Sequence, residues 1–127
     1  MCSVLIVEDT PIVREPLEKL LQYEGYETEA VSNGVEALEA MRRRTPDVIL
    51  LDVAMPKMNG VEFLQQLRGE ERWRDVPVIL LTAVMDSRQL RLARDLSVRE
   101  VLFKSKFTFA ELLGRMRQCL GLPLAAT

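Results

Sequence analysis

Short apolar runs alternate with helical periods along this chain, and that alternation constrains its fold more than any other feature. The runs Val4-Leu5-Ile6-Val7, Val48-Ile49-Leu50-Leu51 and Val78-Ile79-Leu80-Leu81 are apolar on consecutive residues. A strand with one wet face would alternate, whereas a strand covered by helices on both faces need not. Runs this short, separated by stretches with apolar residues at helical spacing, are the pattern of βαβ units and a parallel sheet. Strands are expected at about 3–8, 26–31, 47–52, 77–82 and 98–103. Tyr26-Glu27-Thr28-Glu29-Ala30-Val31 alternates instead, which suits an edge strand.

The helix starts are marked by capping residues. Asn33, Asn59, Asp86 and Thr108 each stand three residues before Glu or Gln, where the cap side chain can accept from an orphan N–H and the later residue can reach back. Only Thr108 with Glu111 is a strict capping box. The last helix carries Phe109, Leu112, Leu113, Met116 and Leu120, a stripe that must face the sheet. Pro11 suits a first turn, while Pro16 removes a backbone bond inside the first helix and predicts a bend, held by Val13, Leu17, Leu20 and Leu21. Gly121 and Pro123 close the last helix.

Several apolar runs end in chemistry. Glu8-Asp9 follows the first, Asp52 the third and Thr82 the fourth, and Lys104 follows Val101-Leu102-Phe103. A carboxylate at the end of a buried strand is poorly explained by packing, because burying an unpaired charge costs several kcal/mol. Taken singly, the acid pair would suit a helix N-terminus, Thr82 a strand, and Lys104 a solvated surface. Taken together at strand C-termini, they predict one polar site. Three carboxylates in one cleft repel, so the site must raise a pKa or hold a cation, and oxygen-only ligands suit Mg²⁺.

Composition excludes several alternatives. With no histidine, the chain cannot run Ser-His-Asp or Cys-His catalysis, bind zinc through His, or carry phosphohistidine. A net charge of −2 and a pI of about 5.3 argue against non-specific nucleic-acid binding, despite clusters at Arg42-Arg43-Arg44 and at Arg88, Arg91 and Arg94. Cys2 and Cys119 match no metal spacing and read as reduced thiols of a cytosolic protein. No stretch is long and apolar enough for a membrane span or an export signal, so no membrane insertion is expected. The length of 127 residues fits one domain.

The strand-end residues, with the loop Asp52-Val53-Ala54-Met55-Pro56-Lys57-Met58-Asn59-Gly60, resemble the receiver domain of bacterial two-component response regulators. The loop fits that family's D-x-x-M-P-x-M-[DN]-G pattern at every fixed position, and the resemblance covers about residues 3–120. It implies an α/β, flavodoxin-like fold: a doubly wound five-stranded parallel sheet of order 2-1-3-4-5 flanked by five helices, a single receiver domain over 1–127. Glu8 and Asp9 match the family's acidic pair, Asp52 its phospho-accepting aspartate, Thr82 before small Ala83 its hydroxyl position, and Lys104 its lysine. The resemblance further implies Mg²⁺ held by Asp9, Asp52 and the backbone carbonyl of Ala54, with Glu8 acting through water. A histidine kinase or phosphotransfer protein would supply the phosphoryl group in the cytoplasm. Output would be phosphorylation-dependent binding of another protein through the fourth helix, fifth strand and fifth helix, without direct nucleic-acid contact.

Three departures bear on output. Val101 stands where the family usually has Tyr or Phe, Ser105 where it has a cis proline, and Ser97 where glycine is frequent. The competing classes are a pseudo-receiver that only binds partners and a small-molecule phosphohydrolase on a similar sheet. The first would be expected to lack one of Asp9, Asp52 or Lys104; the second needs an aspartate two residues after the nucleophile, where this chain has Ala54.

Overall fold

The computed structural model describes residues 2–52, 60–82, 87–104 and 106–122. Strands and helices alternate strictly: β1 (Ser3–Val7), α1 (Pro11–Tyr23), β2 (Glu27–Val31), α2 (Gly34–Arg43), β3 (Val48–Asp52), α3 (Gly60–Gly69), β4 (Val78–Thr82), α4 (Ser87–Asp95), β5 (Glu100–Phe103) and α5 (Phe109–Leu120), with a 3₁₀ turn at Glu71–Trp73. The five strands form one parallel sheet of order β2-β1-β3-β4-β5. The order and the doubly wound, flavodoxin-like class agree with the sequence reading. Strand bounds fall within about two residues of those expected.

Side-chain alternation divides the core into two layers. Leu5, Val7, Ile49, Leu51, Val78 and Leu80 pack with Leu38, Met41, Phe63, Leu64, Leu67 and Ala93 of α2, α3 and α4. Val4, Ile6, Val48, Leu50, Ile79 and Leu81 pack on the other face with Leu17, Leu21, Leu112 and Met116 of α1 and α5. Consecutive apolar residues therefore serve opposite faces, which is why these strands do not alternate. Edge strand β2 does alternate, with Glu27 and Glu29 exposed.

The caps form where they fall on described residues. Asn33 accepts from the Glu36 N–H at 2.9 Å, and Glu36 reaches back to the N–H and hydroxyl of Ser32, one residue earlier than a strict box would require. Thr108 accepts from the Glu111 N–H at 3.1 Å. Asn59, Asp86 and the Lys104–Ser105 bond lie outside the described residues. α1 runs unbroken through Pro16, with Leu17 and Leu21 buried. Leu20 does not hold it as expected: it is 45% exposed, because Leu17 and Leu21 lie four apart on the buried stripe and Leu20 falls to its edge. Gly121 closes α5 at φ +66°, and the Leu122 N–H bonds back to the Arg117 carbonyl. No helix among the described residues is long and apolar enough to cross a membrane.

Candidate functional site

Strands β1 and β3 are neighbours, yet the chain leaves them toward opposite sides of the sheet, β1 to β2 and β3 to β4. A crevice forms outside the carboxyl ends of strands at such a reversal. Glu8 extends β1 by one residue, its N–H donating to the Val31 carbonyl at 3.0 Å. Asp52 is the last residue of β3, and the pairing of Val7 with Leu51 sets it beside Glu8. Glu8 is 2% and Asp52 5% exposed. With Asp9, in the turn into α1, they present carboxylate oxygens within 4.8 Å of one another.

Lys104 enters from the far side. Its N–H donates to the Thr82 carbonyl at 2.7 Å, carrying the β4–β5 ladder one step beyond Phe103. Its ammonium lies 2.5 Å from Glu8 Oε1 and 3.3 Å from Asp52 Oδ2. Ile6, Leu50 and Leu102 share one face of the sheet. Two residues further along each strand, Glu8, Asp52 and Lys104 keep that phase and so meet. Thr82 ends β4 in phase with Val78 and Leu80 and is buried. Ala54 lies outside the described residues.

The Lys104 ammonium contacts two of the three carboxylates, those of Glu8 and Asp52, and burial together with these contacts shifts the pKa values of Glu8 and Lys104. Burial, reinforced by the Asp52 carboxyl and opposed by Lys104, pushes Glu8 from its ordinary 4.5 to about 8. Burial works against the Lys104 ammonium, but its bond to Glu8 and the charge of Asp52 outweigh that and raise its pKa. Glu8 Oε2 is buried and accepts no hydrogen bond among the described residues. An all-oxygen cluster with excess negative charge and an open oxygen fits a hard divalent cation. The acid cluster could therefore hold a metal ion.

A groove of about 260 Å³ runs from Lys104 along α1, lined by Val13, Pro16, Leu17, Leu20, Leu81 and Phe107. A larger concavity of about 600 Å³, lined by Arg68, Arg74, Asp75, Asp95, Leu96 and Arg99, lies beside the start of β4, at the opposite end of that strand from Thr82. Arg14 is the site neighbour that sequence reasoning passes over. From the first turns of α1 its Nη1 donates to the backbone carbonyls of Glu8 and Asp9. The available signal was an arginine close behind an acid pair across a helix start.

A five-stranded doubly wound sheet with acids and a lysine gathered at the β1–β3 crevice defines a receiver-type signalling module. The chain belongs to the response regulator receiver domain family, whose profile matches residues 4–117. It is 39% identical over 117 residues to response regulator MprA of Mycobacterium tuberculosis, covering 92% of this chain and 50% of that protein. The chain thus spans about half the length of the curated relatives it matches. The signal receiver domain of a signal transduction histidine kinase from Syntrophus aciditrophicus superposes with a TM-score of 0.87 at 33% identity, covering 100% of this chain and 96% of that one. The receiver domain of sensor histidine kinase PA1611 from Pseudomonas aeruginosa, solved with a magnesium ion coordinated in its active site cleft, gives 0.85 at 29%, covering 94% and 98%.

Proposed function

We propose that this chain is a single receiver domain that takes a phosphoryl group onto Asp52 from a histidine kinase or phosphotransfer protein, in a Mg²⁺-dependent reaction in the cytoplasm. The observation that carries this reading is the convergence of Glu8, Asp9 and Asp52 with Lys104 at the β1–β3 crevice. Asp9, Asp52 and the Ala54 carbonyl would hold the metal directly and Glu8 through water; the magnesium ion in the active site cleft of the PA1611 receiver supports a metal in such a cleft. Bound there, Mg²⁺ supplies positive charge against the oxygens of the transferring group.

Asp52 provides the nucleophile: a carboxylate oxygen bonds to phosphorus as the bond from phosphorus to the donor nitrogen breaks, the electron pair returning to the imidazole. The Lys104 ammonium leaves its contact with Asp52 to pair with a phosphoryl oxygen, and the Thr82 hydroxyl donates to another. The chain then signals by binding a downstream protein. Intact-mass analysis after incubation with Mg²⁺ and acetyl phosphate tests the reading. One acid-stable, base-labile phosphoryl group is expected on wild type and none on Asp52→Asn; equal labelling of the two would sink the assignment.

A further inference from the structure

We infer that Arg14 is a positioning residue for the acid cluster, acting by locking the backbone on both sides of Asp9. The inference rests on the reading that Asp9 holds Mg²⁺. Arg14 Nη1 donates to the Glu8 carbonyl at 2.8 Å and to the Asp9 carbonyl at 3.3 Å. Those oxygens belong to the two peptide planes that meet at the α-carbon of Asp9. A peptide unit is rigid, so tying both planes to one nitrogen restricts φ and ψ of Asp9 together and aims its side chain.

Nothing else among the described residues does this for Asp9. The ladder bond from the Glu8 N–H to Val31 holds the turn one residue earlier. Thr10 caps α1 without a side-chain bond to the helix, and its hydroxyl donates to Asp9 Oδ1 at 3.4 Å, a contact to the carboxylate that leaves the Asp9 backbone untied. The arginine itself is anchored on α1, two turns of which are fixed to the sheet by Leu17 and Leu21. A metal ligand on a turn without such a tie must be ordered when the ion binds, and that cost is subtracted from affinity. Groups that orient ligands in this way typically contribute about 10- to 100-fold in metal affinity.

The sign of the effect separates positioning from plain charge. Removing a cation beside three carboxylates should tighten Mg²⁺ if charge were all that mattered. Removing a positioning group should weaken it. Mg²⁺ alone is titrated by calorimetry into phosphate-free wild type, Arg14→Met and Arg14→Gln, whose amide is too short to reach both carbonyls. Weakening by about tenfold or more is expected in both variants. Phosphorylation by acetyl phosphate should return to near the wild-type rate at saturating Mg²⁺, a shift in the metal requirement and not in the maximal rate. Affinity unchanged or tighter, including a lowered melting temperature with an unmoved Mg²⁺ titration, would overturn the inference. Should Arg14→Met not fold, Arg14→Gln alone decides. Wild type that binds no Mg²⁺ would end this inference and the site reading together. Wild type that binds Mg²⁺ and is phosphorylated, beside variants that titrate like it, would end this inference alone.

Discussion

Glu8 holds its proton to higher pH than a surface glutamate would, because burial disfavours its charge and the Asp52 carboxyl reinforces that. Its folded pKa of about 8 stands above the ordinary 4.5. Between those values the native state holds a proton that the unfolded chain has lost. The contribution to stability is therefore complete below about 4.5 and is lost as pH rises through about 8. In EDTA, the melting temperature of wild type should fall relative to Glu8→Gln across that window, and saturating Mg²⁺ should reverse the fall. Parallel pH profiles for the two proteins would refute the assignment. Lys104 is the opposite case, an ammonium kept charged by Glu8 and Asp52. Its backbone N–H is also tied to the Thr82 carbonyl at the end of β4.

Arg68, at the end of α3, fastens elements that share no strand or helix. Its guanidinium donates to the Leu96 carbonyl at 2.8 Å, to the Arg74 and Val76 carbonyls at 2.8 Å, and at longer range to those of Trp73 and Ser97. Burial pushes its pKa down, as expected for a cation surrounded by neutral acceptors. The connection into β4 and the turn after α4 are thereby held to one side chain. Within that turn Ser97 sits at φ +62°, a left-handed conformation costing a non-glycine residue about 1 kcal/mol, which is the physical reason glycine is frequent there. Arg68→Ala should destabilise the fold by about 2–4 kcal/mol, since several carbonyls lose their donor at once. Urea unfolding would show it as a lower midpoint; a change under about 0.5 kcal/mol, the size of an ordinary surface substitution, would contradict the account.

Over the whole molecule, one end of α4 is anchored through Arg68, while its other end is the one nearer in sequence to Thr82, the buried last residue of β4. Phosphorylation should therefore swing α4 about its C-terminal end, by population shift. Val101 is half-buried against the α2–α4 layer and too short to exchange between two pockets, so ring rotation cannot carry the signal here. Backbone amide shifts with and without beryllofluoride, a stand-in for the phosphoryl group, should move in α4 and around Lys104–Phe107, near the exposed Arg88, Arg91 and Arg94. Lys104→Met should still accept phosphate yet lose those shifts; shifts confined to the acid site in wild type would refute the route. The sheet class, the strand positions and the identities of the strand-end polar residues were legible in the sequence, because apolar runs and caps are local signals. The motif from Asp52 to Gly60 also announced the family directly. What only the tertiary structure decided was how side chains distant in sequence meet. The shared phase of β1, β3 and β5 brings Lys104 against Glu8 and Asp52, and burial then moves their pKa values. Arg14 and Arg68 act through backbone carbonyls, which every residue has, so no pattern of side chains could have revealed their partners.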